Sequence, residues 1–222
     1  MRPATVVLPW RPAPSRLEAY DRVRGWYARM LPELTVTTID SPDPVFNLAL
    51  CRNLAVESLA EPDDVVVLGD ADTIPEPAPL RAAIEAARTS GRVHLPYTAY
   101  HWLGAEGAAQ FAAGIAPEDC RFELVRGACS GVYVTTRRTW ESHGGQDPRF
   151  RGWGYEDAAA WQLAHTTLVG APPQRHEGRV YALHHVAETR AGAQYDANAA
   201  LMERYRTASE DASAMRALVS ER

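Results

Sequence analysis

Lysine is absent from this chain of 222 residues, so all 23 of its basic side chains are arginines. Its absence excludes chemistry that needs a lysine amine, such as a P-loop phosphate site or a Schiff base. Cysteine is scarce as well: Cys51, Cys120 and Cys129 are an odd number and contain no CxxC pair. This pattern argues against a disulfide framework or a zinc knuckle, and we expect a reducing compartment.

The chain also has no long apolar run and no net positive charge. No apolar stretch approaches the roughly 20 residues of a membrane span, so we expect no transmembrane segment. The formal net charge of −5 gives no field that would attract nucleic acid or anionic lipid, and we expect no nucleic-acid binding. Together these features favour a cytoplasmic protein, of bacterial or phage origin.

In the first hundred residues, strand-like apolar runs alternate with helical hydrophobic patterns. Strand-like runs at residues 5–9, 34–39, 65–68 and 92–96 alternate with helical patterns at residues 17–30, 46–59 and 80–88. This order predicts βαβ units and a mostly parallel sheet. In such sheets ligands bind beyond the carboxyl ends of the strands, so we expect residues 9–11, Asp40 and residues 69–73 to converge there.

The second half is less regular. Residues 97–120 are predicted to form a long connection, of a length typical of substrate loops. Further elements are expected in order: a strand at 132–135, a helix at 137–142 capped by Thr136, a glycine-rich loop at 144–154, a helix at 156–165, a strand at 179–184 and an amphipathic helix at 194–219. Ser15 is placed to cap the first helix.

The strongest local signal is the sequence VVVLGDADTIP, which places Asp70 and Asp72 at the end of a strand. Two carboxylates held close together repel each other unless a cation lies between them. Mg²⁺ or Mn²⁺, completed by phosphate oxygens, is the ordinary solution. The alternative is that both side chains only accept hydrogen bonds from backbone amides in a turn.

The same residues also fit the DxDxT motif of haloacid-dehalogenase-type phosphatases. In that interpretation Asp70 is the nucleophile and Asp72 the general acid. Those enzymes use a downstream lysine, or occasionally an arginine, and this chain has no lysine.

Two further motifs carry functional side chains. In the sequence RGWGYED, Trp153 lies between two glycines, where its ring could stack on a sugar, and Glu156 and Asp157 follow. Acidic residues in a first helical turn also stabilise the helix dipole, and a tryptophan can be an ordinary core residue. In the sequence YALHHV, a histidine after a strand could ligate the same metal or could be structural.

In their order and spacing, these motifs resemble nucleotide-sugar glycosyltransferases of the GT-A fold. The likeness is to family 2 enzymes and to the catalytic domains of β-1,4-galactosyltransferases and chondroitin polymerases, over about residues 4–190. The motifs that carry it are LPWRP, FNLALCRN, DAD, GACSG, GWGYED and the closing histidine. Two departures are Leu48, where galactosyltransferases have a basic residue, and Tyr155, where they have glycine.

The resemblance implies an α/β fold with a single Rossmann-like GT-A domain over residues 1–190. A mostly parallel central sheet would be flanked by helices, and a C-terminal helical extension, residues 191–222, would pack on the domain. The implied activity is metal-dependent transfer of a sugar from a UDP-sugar to an acceptor hydroxyl, with inversion. The cofactor would be Mn²⁺ or Mg²⁺, and the acceptor a carbohydrate, glycolipid or protein.

The resemblance also implies roles for individual residues. Asp157 would be the catalytic base, and Glu156 would contact sugar hydroxyls beside it. Trp153 and Gly154 would bind the acceptor. Residues at the donor site would be Pro9, Arg11, Asp40 (on the uracil), Arg52 (against the uridine), Asp70, Ala71, Asp72 and Gly131. The metal ligands would be Asp72 and His185, with Asp70 and His184 as further candidates.

Three other functions stay open at this level. A glycosidase would use two of these acids without a metal or a nucleotide. A sugar- or nucleotide-binding module would have the same pocket without catalysis. A nucleotidyltransferase would need a glycine-rich loop with a basic residue after the first strand, which the sequence does not have.

Overall fold

The computed structural model describes residues 4–152, 160–185 and 191–222. The strands in these ranges are β1 (Thr5–Pro9), β2 (Thr35–Ile39), β3 (Val65–Gly69), β4 (Thr73–Pro75), β5 (His94–Leu95), β6 (Ala99–Trp102), β7 (Glu123–Val125), β8 (Val132–Thr136), β9 (Gln174–Arg175) and β10 (Arg179–Ala182). The helices are α1 (Leu17–Met30), α2 (Leu48–Glu57), α3 (Pro77–Ser90), α4 (Gly104–Ala112), α5 (Arg137–Ser142), α6 (Ala160–Val169), α7 (Ala193–Ala208) and α8 (Ala212–Val219).

The central sheet has the strand order β2-β1-β3-β8-β5-β9. Strand β1 runs parallel to β2 and β3, whereas β8 runs antiparallel to both β3 and β5. All five residues of β3 are buried, as the continuous apolar run VVVLG requires of a strand covered on both faces. The predicted mostly parallel central sheet flanked by helices is confirmed.

A second sheet has the order β4-β10-β6-β7, and its strand β6 lies in the segment that the sequence predicts as a long connection. The prediction for residues 97–120 is wrong, because this segment contains β6, α4 and a 3₁₀ turn at Pro117–Asp119. Strand β6 is only four residues long and β7 is exposed, so neither shows the apolar run of a buried strand. They form because β10 pairs with β6 and β6 pairs with β7.

The C-terminal segment forms two helices rather than the single helix that was predicted. The Asp211 side chain accepts a hydrogen bond from Ala214 N and thereby starts α8 after a break. Apolar residues of α7 and α8, among them Leu201 and Met215, share a core with Ala160 and Ala164 of α6. The extension therefore packs on the rest of the chain through α6.

Two predicted helix caps have different outcomes. The Thr136 side chain accepts a hydrogen bond from Thr139 N at the start of α5, as predicted. Ser15, in contrast, lies inside a 3₁₀ turn at Pro14–Arg16, and α1 starts at Leu17 without a side-chain cap. None of the helices in the described ranges combines the length and the hydropathy needed to cross a bilayer.

Three of the described histidines have no exposed surface: His94, His143 and His165. Their surroundings include the indole rings of Trp140 and Trp161, with the His143 ring 5.2 Å from the ring of His165. Burial lowers the pKa of His94 and of His165 from 6.5 to about 4, and it lowers the pKa of His143 well below 6.5. These side chains are therefore neutral in the folded protein at neutral pH.

We expect the melting temperature to fall as the pH is lowered from about 6.5 towards 4. The unfolded chain binds protons at these histidines below pH 6.5, whereas the folded chain resists protonation down to about pH 4. The shift from 6.5 to about 4 corresponds to roughly 3 kcal/mol for His94 and for His165, which is present above this range and is lost through it. Thermal unfolding followed by circular dichroism between pH 7.5 and 4.5 measures the effect. In His143→Phe the dependence should be shallower; an unchanged profile would contradict the assignment.

Candidate functional site

The carboxyl ends of β1, β2 and β3 meet at one edge of the central sheet, as the βαβ pattern predicts. We call this edge, with the residues that follow the three strands, the site edge. Pro9 ends β1, Asp40 follows β2, and Asp70 follows β3. Because β8 is antiparallel to β3, with Gly69 opposite Val132, Gly131 comes to the same edge. The backbone N–H of Asp70 donates to the carbonyl of Gly131 at 2.7 Å. The sheet therefore brings Asp70 and Gly131 into direct contact.

Both carboxylate oxygens of Asp70 accept hydrogen bonds from within the protein. The Arg52 guanidinium donates to Oδ1 at 2.5 Å, and the backbone N–H of Gly131 donates to Oδ2 at 3.1 Å. Gly131 has φ +91°, and a Cβ there would lie 3.0 Å from Tyr100 Cε2 and 3.1 Å from Thr73 Cγ2. A glycine is therefore needed for this close approach.

Asp72 faces His185 across the junction of two strands. Strand β10 is antiparallel to β4, and the backbone N–H of Leu183 donates to the carbonyl of Asp72 at 2.7 Å. This pairing places His185 Nε2 2.8 Å from Asp72 Oδ2, with both side chains partly accessible to solvent. His184 is exposed, with its ring 6.2 Å from that of Trp102.

The pair formed by Asp72 and His185 fits a divalent cation. A carboxylate oxygen and an imidazole nitrogen are donors that Mn²⁺ accepts, and a site completed by phosphate oxygens needs only one or two protein ligands. Within the described ranges, no third His, Cys, Asp or Glu side chain completes a metal-binding cluster with them. The remaining positions around a cation would therefore be available to a diphosphate and to water.

Arg11 holds the turn that follows β2. Its Nε donates to both Asp40 oxygens, at 3.0 and 2.9 Å, and its terminal nitrogens donate to the carbonyls of Ser41, Asp43 and Pro44. Most of the Arg11 donors are thus used by the turn itself. Asp40 stays almost half exposed, with 44% of its side chain accessible, so it can still accept from a ligand.

Arg52 has no exposed surface in the structure, although the resemblance implies that it lies against a uridine. It packs 4.8 Å from the centre of the Tyr133 ring and donates to Gln146 Oε1 at 2.9 Å, in addition to its ion pair with Asp70. Gln146 is itself fixed, since its backbone N–H donates to Asn53 Oδ1 at 3.0 Å. Arg52 therefore orients the Asp70 carboxylate from the protein interior.

Two side chains of this region, Tyr100 and Gln146, are not among the site residues that the sequence predicts. Tyr100 lies on β6 against Gly131 and Thr73; burial raises its pKa well above the usual range, and the charges of Asp72 and Asp70 raise it further. Gln146 lies in a segment that the sequence predicts only as a glycine-rich loop. The short aromatic alternation TAYHW was the one hint of a strand at Tyr100.

Several predicted site residues lie outside the described residues: Trp153, Gly154, Glu156 and Asp157. Their roles stay predictions. Of the others, Pro9 is buried at the end of β1, and Ala71 lies between the two aspartates of the site edge.

No protein-family model and no curated protein sequence matches the chain. Solved structures, in contrast, do match. The catalytic domain of Drosophila β1,4-galactosyltransferase 7, solved with xylobiose, matches with a TM-score of 0.59 and 14% identity over 88% of this chain and 79% of that chain. A mutant of the Drosophila enzyme with manganese, UDP-Gal and xylobiose matches with a TM-score of 0.56 and 13% identity, over 88% and 78%.

A third solved structure is that of GalNAc-T7 with UDP, GalNAc and Mn²⁺. It matches with a TM-score of 0.60 and 10% identity, over 98% of this chain but only 54% of that chain. This chain therefore spans about half of that protein. At these identities the similarity concerns the fold: the chain has the GT-A fold of these glycosyltransferases.

Proposed function

We propose that the protein is a metal-dependent glycosyltransferase that moves a sugar from a UDP-sugar to an acceptor hydroxyl, with inversion. The observation that carries the proposal is the 2.8 Å contact between Asp72 and His185 at the ligand-binding edge of the sheet. The fold is shared with transferases solved with UDP or UDP-Gal and with manganese. The acceptor would be a carbohydrate, a glycolipid or a protein.

The donor would lie along the site edge. Asp72 and His185 would hold Mn²⁺ or Mg²⁺, which when bound would stabilise the charge that develops on the diphosphate leaving group. Asp40 would accept from the uracil. Asp70, oriented by Arg52 and Gly131, would accept from the ribose or from water. His184 is the weaker candidate for a ligand because it is exposed and lies beside Trp102.

The acceptor side of the proposal rests on the motif GWGYED. Trp153 and Gly154 would form the platform for the acceptor, and Glu156 would bind sugar hydroxyls. Asp157 would take the proton from the acceptor hydroxyl as that oxygen attacks the anomeric carbon from the face opposite the leaving group. Attack from that face gives inversion.

The phosphatase alternative is not favoured. The solved structures that share the fold are glycosyltransferases. In addition, the Asp70 carboxylate, which would be the phosphatase nucleophile, accepts from Arg52 and from Gly131 N. A carboxylate stabilised in this way is a weaker nucleophile. A non-catalytic binding module would share the cleft but would not release UDP from a UDP-sugar.

A thermal-shift screen tests the nucleotide and the metal together. We expect UDP with Mn²⁺ to raise the melting temperature more than GDP or CDP with Mn²⁺, and more than UDP without metal. Slow release of UDP from a UDP-sugar in water would then separate a transferase from a binding module. Stabilisation by all three nucleotides without metal would contradict the proposal.

Replacement of Asp72 by alanine is expected to remove the metal-dependent part of UDP binding. Loss of an outer-shell partner alone typically costs about 10- to 100-fold in metal affinity, so loss of a ligand should cost at least as much. Calorimetry of UDP binding with and without Mn²⁺ measures the change. Asp63→Ala is the matched control, since Asp63 is an exposed aspartate paired with Arg138. Equal UDP affinities for the two variants would show that Asp72 is not a ligand.

A further inference from the structure

A pocket of about 350 Å³ lies between strands β6 and β7 and the start of the glycine-rich segment that leads to Gly131. Its walls include two tyrosines, Tyr97 and Tyr100, and two arginines, Arg126 and Arg175. The volume is at the lower end of the range for small-molecule sites, and it suits about one sugar residue. Tyrosine rings offer an apolar face to such a ligand.

The two arginines give this pocket a positive charge. Arg175 is exposed; it lies 5.3 Å from the centre of the Tyr97 ring, and its Nη2 donates to the carbonyl of Ala128 at 2.6 Å. Arg126 is exposed as well. In the part of the chain that the structure describes, neither guanidinium forms an ion pair with a carboxylate. Arg121, Arg138 and Arg179, in contrast, each form one. Both therefore keep donors for an anionic ligand.

The pocket adjoins the site edge through a shared wall. Tyr100 lines the pocket, and its ring is also in contact with Gly131 and Thr73, next to Asp70 and Asp72. Gly131 in turn donates to Asp70 Oδ2 at 3.1 Å. A sugar in the pocket would therefore lie next to the place where the donor diphosphate is proposed to bind.

We propose that this pocket binds the acid group of an anionic acceptor, a sugar that carries a carboxylate or a phosphate. The planar guanidinium groups of Arg126 and Arg175 would donate paired hydrogen bonds to its oxygens, and the partly exposed ring of Tyr100 would contact the sugar ring. Tyr97, which is fully buried, packs against the Arg175 guanidinium. The proposal rests on the proposed function, because it names the acceptor class of that transferase. A neutral sugar would lack the partner that these arginines require.

The test is a titration of the nucleotide-free protein with three probes, followed by NMR or calorimetry. The probes are methyl β-glucuronide, glucose 6-phosphate and the neutral methyl β-glucoside. They are titrated into the wild type, Arg126→Ala, Arg175→Ala and Arg121→Ala. Arg121 is the matched control because it precedes β7 but is already paired with Glu106 at 2.7 Å. Arg126→Ala removes an exposed side chain and so keeps the test valid if Arg175→Ala folds poorly.

We expect at least one anionic probe to bind at least about tenfold more tightly than the neutral glucoside, and each pocket variant to lower that affinity by about tenfold or more. Arg121→Ala should bind as the wild type does. Preference for the glucuronide identifies a carboxylate acceptor, and preference for glucose 6-phosphate identifies a phosphate. Equal binding of neutral and anionic probes, unchanged affinity in Arg126→Ala, or no binding of either anion would overturn the proposal.

The same protein samples separate this proposal from the proposed function. UDP binding with Mn²⁺ is measured on each of them. If UDP binds but the anionic sugars do not, the acceptor proposal fails and the transferase proposal stands. If the anionic sugars bind through the two arginines but UDP does not bind with the metal, the pocket stands and the transferase proposal fails.

Discussion

Replacement of Arg52 by alanine is expected to lower the free energy of unfolding by about 3–5 kcal/mol, because it removes the buried partner of the Asp70 carboxylate. The guanidinium has no exposed surface and lies 2.5 Å from an oxygen of Asp70, whose side chain is only 18% exposed. The variant also loses the hydrogen bond to Gln146 and the contact with the Tyr133 ring. Urea unfolding monitored by tryptophan fluorescence gives the change.

The matched control for this prediction is Arg138→Ala. Arg138 also forms an ion pair with an aspartate, Asp63, at 2.8 Å, but both side chains are about two-thirds exposed. Surface pairs of this kind contribute about 0–1 kcal/mol. Arg52→Lys keeps the charge but not the planar donors, so its loss should be intermediate. If Arg52→Ala were no less stable than Arg138→Ala, Arg52 would not be the support of Asp70.

Replacement of Asp157 by asparagine is expected to lower kcat about 10²- to 10⁴-fold, the usual contribution of a general base. The amide keeps the size of the side chain but cannot accept the acceptor proton. Binding of UDP with Mn²⁺ should stay close to that of the wild type, because the proposed metal ligands are untouched. Steady-state kinetics and calorimetry on the same preparation separate the two effects.

Asp196→Asn is the control for the Asp157 variant. Asp196 is an exposed acid in the first turn of α7, so the same chemical change there should leave kcat unaltered. A near-normal kcat for Asp157→Asn would remove Asp157 as the base. A parallel loss of UDP binding would instead assign it to the donor side.

The position of the site edge could be predicted because it follows from short-range patterns. The strand-like runs of β1, β2 and β3 alternate with helices, and this order puts Asp40 and Asp70 at the carboxyl ends of strands in one parallel sheet. The continuous run of β3 is buried along its whole length, as that composition requires. Here local sequence and tertiary structure agree.

The support beneath the site could not be predicted in the same way. Arginine is almost never fully buried without a partner, and the partner of Arg52 is Asp70, 18 residues away and on a different element. Gln146 is 94 residues from the Arg52 that it contacts. Such burial depends on how α2 packs beneath β3, which no local pattern encodes.

The second sheet was missed for a related reason. Strand β7 exposes all three of its residues, and β6 alternates over only four, so neither resembles a buried strand. Strand β6 depends on pairing with β10, which is about 80 residues away, and β7 in turn pairs with β6. The arrangement of Tyr100 against Gly131 follows from this long-range pairing. The contact between His185 and Asp72 has the same origin. The register of β10 with β4 places Leu183 opposite Asp72, and His185 follows two residues later, with its Nε2 2.8 Å from Asp72 Oδ2.

The measurement that decides the proposal is a crystal structure of the protein with Mn²⁺ and UDP, collected at a wavelength where manganese scatters anomalously. We expect one anomalous peak within bonding distance of Asp72 Oδ2 and His185 Nε2, with diphosphate oxygens of UDP completing the coordination. An anomalous map with no peak at this pair, while UDP is absent or bound elsewhere, would contradict the proposed metal site and the transfer chemistry that depends on it.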